Sequence, residues 1–360
     1  MHTELITKIL KTPETVIDKL DLVYVNDERL KITRRPYKKG FKYFLRGKEL
    51  LEKKKIQRIN KLVIPPGWKK VKIATLENGH LQAVGRDLKN RKQYRYHPLW
   101  NTIRNQTKFY KMTAFAEQLP KIRKQVDNDL EQKGWPKNKV LALIIRLMEE
   151  THIRIGNEQY AKRNKTYGLS TMRTRHVHLE KDNLKFEFVG KKGKKHSITL
   201  RNKKLIRLVN RCEEIPGWEL FKYYDSAGIK HSVESSMVND YVHQICGNLY
   251  TAKDFRTWSA TTIFFETLAT LGIASTKEET KKNIIRAYDT TAKNLGNTRN
   301  VCKKYYVHPR IVTAYEDGSI IKSFHIVQKN KKRDPYLSAS ENAIIQLLEN
   351  YIPTFINDVA

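Results

Sequence analysis

Leu184-Lys185-Phe186-Glu187-Phe188 carries apolar residues at every second position, a lysine- and glycine-rich turn follows at residues 191–195, and His196-Ser197-Ile198-Thr199-Leu200 returns. Period-two patterning before such a turn predicts a β-hairpin with a cationic tip. The text on either side has a different period. Upstream, Val140, Leu143 and Leu147, with Ile144 and Met148, recur at helical spacing; downstream, Phe255, Trp258, Thr262, Phe265 and Ala269 form a stripe on a helix expected to run to Leu271 and stop at Gly272. One hairpin among helices makes the region from about residue 101 onward mainly α.

Toward the N-terminus the pattern shortens. Residues 22–96 carry turn signals at Pro65-Pro66-Gly67, Asn78-Gly79 and Lys89-Asn90, with strand-like pieces at Val71-Lys72-Ile73 and Leu81-Gln82-Ala83-Val84. The expected fold class is therefore α+β. A small β-rich domain over residues 1–100, with some helix around residues 48–62, precedes a mainly helical domain with its hairpin over residues 101–360. A C-terminal helix is expected at about residues 338–351, after a charged linker at residues 329–333.

The length of 360 residues allows two modest domains. Its 70 Lys and Arg against 37 Asp and Glu leave a net charge of +33, a field that favours a polyanionic partner. These cations are interleaved with aromatics, as in Lys92-Gln93-Tyr94-Arg95-Tyr96, whereas a disordered basic tail is depleted in them. A membrane surface would call for a basic amphipathic helix at a chain end, and the N-terminus does not read as one. The apolar run at residues 140–145 is far short of the ~20 residues of a membrane span, and the N-terminal segment is too charged for a signal peptide. Cys212, Cys246 and Cys302 lack disulfide or zinc-type spacing, which fits a reducing cytoplasm. No Gly-rich phosphate loop and no magnesium-type carboxylate cluster is found, so no ATP, metal or other cofactor is expected.

Four segments of the helical region hold candidate chemistry. In Thr151-His152-Ile153-Arg154-Ile155-Gly156, Gly156 is expected to close the preceding helix, leaving Arg154 near its C-terminal end; alone, that arginine would merely complement the helix dipole. Phe188-Val189-Gly190-Lys191 puts Lys191 at the hairpin tip, where most lysines are simply solvated. Ala252-Lys253-Asp254-Phe255-Arg256-Thr257-Trp258 opens a helix, with Thr251 and Asp254 as a capping pair. Arg256 lies one position off the core stripe, near amides that favour an anion. A cation there is disfavoured unless it meets an anion or a carboxylate such as Asp254. Finally, Leu295-Gly296-Asn297-Thr298 leads to Lys304-Tyr305-Tyr306-Val307-His308-Pro309, after a helix with Ile284, Ile285, Tyr288 and Leu295 as its apolar positions.

Taken in this order, the segments resemble the poxvirus-like and bacterial type IB topoisomerases over residues 22–310. The resemblance reaches the N-terminal domain through Val84-Gly85-Arg86-Asp87 and Arg91-Lys92-Gln93-Tyr94-Arg95-Tyr96, similar to the family's DNA-gripping strand. It implies that Tyr306 is the nucleophile, that Arg154 and Arg256 bind the scissile phosphate, and that Lys191 is the general acid. Asn297 falls where poxvirus-type enzymes have histidine and bacterial relatives asparagine; an amide donates a hydrogen bond without adding charge. The implied function is relaxation of supercoiled duplex DNA through a 3′-phosphotyrosyl intermediate, by a cytoplasmic, nucleoid-associated monomer closing as a clamp. Arg86, Lys92, Gln93, Tyr94, Tyr96, Tyr160 and Lys253 are the candidate DNA contacts. Alternation over residues 93–96 equally suits an ordinary strand with both tyrosines on one face.

Geometry adds a demand. On one straight helix the nine steps from Asn297 to Tyr306 would span ~13 Å and set the two side chains on opposite faces, so the segment must bend or break. Two rivals stand beside this reading. A tyrosine recombinase shares the Arg, Lys and Tyr chemistry but not the N-terminal motif, and a basic chromatin protein would bind DNA without cutting it.

Overall fold

The structure, a computed structural model, describes residues 2–329 and 334–356; of the expected charged linker at 329–333, all but Lys329 lies outside the described residues. Two compact units emerge, Met1–Lys111 with Ile352–Ala360, and Met112–Tyr351. The class is α+β, with a sheet in the N-terminal region and mostly helix after it.

The first unit opens on a helix that the sequence reading did not anticipate, α1 (His2–Lys11). Ile6 and Ile9 share one of its faces and enter an apolar cluster with Ile17, Leu20, Leu22, Trp100, Ile103, Phe355 and Ile356. Burying each large side chain is worth about 1.5–3 kcal/mol, so the cluster ties both ends of the chain into this unit. The antiparallel sheet has the order β3-β2-β1-β4-β5-β6, from β1 (Ile32–Tyr37), β2 (Gly40–Leu45), β3 (Lys48–Glu49), β4 (Lys69–Ile73), β5 (Leu81–Arg86) and β6 (Lys92–Tyr96). Helix α2 (Lys53–Lys61) follows β3, so the helix expected around 48–62 begins as a strand. Its Ile59 is buried with Ile32, Val71, Ile73 and Ala83. Strand β6 is an edge, with Gly85 opposite Gln93 and Arg86 opposite Lys92.

Helix α3 (Pro98–Leu130) contains the residue boundary between the units. In the second unit, α4 (Lys137–Thr151) is buried on nearly every side, more broadly than its sequence stripe implied. After α5 (Glu158–Asn164) come β7 (Val177–Glu180), β8 (Asn183–Val189) and β9 (Lys195–Leu200). The expected hairpin is β8–β9, with Phe188 opposite His196 and Val189 opposite Lys195. The added strand β7 is only four residues long and largely exposed, so its brief alternation at Val177 and Leu179 is too short to read as a strand. Helix α6 (Lys203–Glu213) leads to a second hairpin that was not anticipated, β10 (Lys222–Tyr224) with β11 (Lys230–Ser232).

The remaining helices are α7 (Ser235–Cys246), α8 (Ala252–Leu271), α9 (Lys277–Leu295), α10 (Arg299–Tyr305), α11 (Pro309–Glu316), α12 (Ile321–Lys329) and α13 (Ala339–Leu348). The start of α8 is the expected capping box, with the Thr251 N–H donating to Asp254 at 2.8 Å. On α9, Ile284, Tyr288 and Leu295 are buried, but Ile285 is 44% exposed because one helical step carries it off the core face. Among the described residues, no helix is long and apolar enough to cross a membrane.

Candidate active site

Helix α4 ends sooner than expected. Thr151 is its last residue and His152 turns left-handed at φ 54°, so Arg154 lies in the following loop and not near a helix end closed by Gly156. Gly156 has another function, in a tight crossing of two segments. A Cβ there would meet Thr171 Oγ1 at 2.8 Å and the Gly168 carbonyl carbon at 3.2 Å. Across this contact the Leu169 N–H donates to the Arg154 carbonyl at 2.8 Å and the Ser170 N–H to the Ile155 carbonyl at 2.6 Å. The backbone of Arg154 is thereby held by the segment at 168–170.

The Arg154 guanidinium donates to Asn297 Oδ1 at 2.6 Å. Arginine has no acceptor, so the amide oxygen must face it. The other amide atom, Asn297 Nδ2, is buried without a protein partner. Asn297 itself sits in a break: α9 stops at Leu295, Gly296 is left-handed at φ 62°, and Thr298 caps α10. Tyr306 lies just past the end of α10, at φ −125° and ψ −46°. The interruption required between Asn297 and Tyr306 therefore takes the form of helix ends at both residues, with the short α10 between them. Thr261, fully buried on α8, secures the exit by donating its hydroxyl to the Tyr306 carbonyl at 3.3 Å and accepting the His308 N–H at 3.0 Å.

Arg256, on the first turns of α8, is only 5% exposed. Asp254 serves the helix cap, and Arg256 instead donates to the backbone carbonyls of His152 and, at 2.9 Å, Leu295. Its guanidinium carbon lies 5.9 Å from the centroid of the Tyr306 ring, and its Nε is buried without a partner. Burial and then the Arg154 cation weaken its hold on its proton, opposed by Tyr306. Lys191 is exposed at the hairpin tip and lines the same small cleft as Arg154 and Arg256. The fold thus gathers Arg154, Arg256, Asn297 and Tyr306, with Lys191 at the opening. Such a set can hold a tetrahedral anion against a phenol. Among the described residues, no three His, Cys, Asp or Glu gather as a metal site.

Three contributors escaped the sequence reading. His152 acts through its carbonyl; its imidazole, lowered to about 4 by burial and by Arg256, has a buried Nδ1 without a partner. Thr261 reads as ordinary core. His196, discussed below, reads as a strand residue.

In the first unit, Tyr94 and Tyr96 are 44% and 38% exposed and stack at 5.9 Å on one face of β6. Lys92 shares that face, paired with Asp27. Gln93 points to the other face, where its amide donates to Asp87 at 3.0 Å. Arg86 donates to the Asn90 carbonyl at 2.9 Å. In the second unit, Tyr160 on α5 is 49% exposed, and Lys253 is exposed in the first turn of α8.

Residues 92–333 match the family model described as eukaryotic DNA topoisomerase I, catalytic core, and residues 40–87 the one described as bacterial DNA topoisomerase IB, N-terminal domain. The chain is 32% identical over 320 residues to DNA topoisomerase 1B of Acanthamoeba polyphaga mimivirus, covering 86% of this chain and 91% of that protein. It is 23% identical over 257 residues to DNA topoisomerase 1B of Vaccinia virus (strain Copenhagen), covering 71% and 77%. With DNA topoisomerase 1 of Rabbit fibroma virus (strain Kasza), identity is 29% over 233 residues, covering 62% and 68%.

Proposed function

The chain belongs to the type IB DNA topoisomerase family, whose members relax supercoiled duplex DNA through a phosphotyrosyl intermediate without ATP, and on that premise we propose that Tyr306 is its nucleophile. Arg154, Arg256 and Asn297 hold the nonbridging oxygens of the scissile phosphate, and Lys191 is the general acid. The Tyr306 phenol gives up its proton to solvent water as its oxygen bonds to phosphorus; the bond to the 5′-oxygen breaks, and Lys191 supplies that oxygen with a proton. The 5′-hydroxyl attacks in reverse, so the strand closes on the energy stored in the phosphotyrosine.

What carries this reading is the buried arginine beside the Tyr306 ring. Arg256 faces another cation, bonds to carbonyls and keeps a buried N–H unpaired, as does Asn297. Buried donors without partners are costly, and a bound phosphate would satisfy them while relieving the repulsion. As its charge grows in the transition state, each donor is worth ~10²–10³ in rate.

In the same reading, residues 1–100 grip duplex DNA through Arg86, Lys92, Gln93, Tyr94 and Tyr96, and residues 101–360 cut it, with Tyr160 and Lys253 as further contacts. The enzyme works as a monomeric clamp in the cytoplasm, associated with the nucleoid. Relaxation of supercoiled plasmid in EDTA without ATP tests the nucleophile. Wild type and Tyr305→Phe should relax it and leave a 3′-linked covalent complex when stopped with detergent, and Tyr306→Phe should do neither. Relaxation by Tyr306→Phe would refute the assignment, and activity confined to paired specific sites with recombinant products would favour a recombinase.

A further inference from the structure

His196 is the second residue of β9, the returning strand of the hairpin, and its ring is held on three sides. It stacks on Phe188, its partner across the strands, with centroids 5.0 Å apart and planes 14° from parallel. A Cβ at Gly190 would meet the Cδ2 and Nε2 edge of the ring at 2.7 Å. A Cβ at Gly296 would meet the opposite edge, Cε1 at 2.5 Å and Nδ1 at 3.1 Å. Real Cβ atoms do not come this close, so both neighbours must be glycine while the ring is in place. Gly190 immediately precedes Lys191, and Gly296 immediately precedes Asn297.

We propose that His196 is a positioning residue whose imidazole is a spacer between the two glycines, setting the Lys191 hairpin against the α9–α10 junction that carries Asn297. Contact between proton donor and phosphate site then depends on one ring. Burial, with Arg154, Lys194 and Arg256 nearby, lowers the pKa of His196, which suits a neutral spacer. The ring acts through its shape and through the residues on its edges, and not by touching DNA.

This inference rests on the reading of Lys191 as the acid, and leaving-group chemistry separates the two. A 5′-bridging sulfur at the scissile phosphate departs as a thiolate, which needs no proton because thiols are far more acidic than alcohols. In single-turnover cleavage of ordinary DNA, Lys191→Ala should lose on the order of 10²-fold and His196→Ala on the order of 10-fold through misplacement. Both should return to near the wild-type rate on the sulfur substrate.

Gly190→Ala is the second variant. Its φ of −96° and ψ of −164° are open to any residue, so the added methyl acts only through the ring. It should reproduce the His196→Ala pattern, and Gly190→Ala combined with His196→Ala should lose nothing further. If His196→Ala does not fold, Gly190→Ala alone carries the test by the same two-substrate comparison. A wild-type rate for either single variant, or a defect that persists on sulfur while Lys191→Ala is rescued, overturns the role of His196 alone. Failure of the sulfur substrate to rescue Lys191→Ala overturns the acid assignment and this inference with it.

Discussion

Arg123 and Arg256 are arginines of the helical unit, the first with its side chain 16% exposed and the second buried, and their surroundings are opposite. Arg123, on α3, donates to Glu149 at 2.8 Å and by two nitrogens to the Glu341 carboxylate at 2.8 Å each, while the same carboxylate accepts Trp258 Nε1 at 2.8 Å. Burial disfavours its charge, but the two carboxylates more than compensate and strengthen its hold on the proton. Around Arg256 there are carbonyls, a phenol and a second arginine, and its proton is held more weakly. A mostly buried cation already neutralised within the protein is part of the scaffold. One left facing another cation stays energetically incomplete until an anion arrives. That contrast separates the site from its support on α13.

The contrast breaks most sharply if the two arginines fail to exchange phenotypes. Arg256→Ala should slow single-turnover cleavage by ~10²–10³, and Arg256→Lys should not restore it, because an ammonium lacks the planar fork that reaches two carbonyls and a phosphate together. Arg123→Ala should instead lower the unfolding free energy by about 3–5 kcal/mol, as breaking a buried pair does, with its folded fraction still cleaving at near the wild-type rate. Urea titrations and quenched-flow cleavage on the same preparations would decide this, and equal catalytic losses would erase the distinction.

A smaller effect sharpens it. His152, whose carbonyl supports Arg256, has its imidazole lowered to about 4 from the ordinary value of 6.5. Between those values the unfolded chain binds the proton and the folded chain does not. Its contribution to stability is therefore complete above pH 6.5 and is lost as pH falls toward 4. Urea unfolding at pH 7 and 4.5 should show this loss, and His152→Asn, which tolerates the left-handed conformation, should flatten it. An unchanged pH slope in that variant would assign the loss to other groups.

The smallest effect concerns the exposed strand β6, where charges are solvated and act at a distance. Lys92→Ala should reduce the slope of log K against log salt by about 0.9, one phosphate's worth, while leaving cleavage at saturating protein unchanged. A salt slope equal to wild type would remove Lys92 from the DNA contacts.

Much of this was legible in the chain. The hairpin at residues 184–200, the cap at Thr251, the stop at Gly272 and the strand carrying Tyr94 and Tyr96 follow from local periodicity and turn chemistry, and the ordered set Arg154, Lys191, Arg256, Asn297 and Tyr306 identified the family. Alternation alone also separated Gln93 from the two tyrosines. The end of α4 at His152 was not legible, because the signal at Gly156 belongs to a crossing with Gly168 and not to a helix cap. Nor were α1, β7 and the second hairpin, whose short or exposed segments carry weak patterns.

The sequence by itself determined which chemical groups are present and in what order, and hence the kind of reaction. Only the tertiary structure decided which arginine is neutralised and which is left open. The carbonyls that hold Arg256 come from residues 104 and 39 positions away, and the oxygen that orients Arg154 from 143 positions away. Burial, and the electrostatic cost it imposes, depends on such distant neighbours, so no local pattern of residues can encode it.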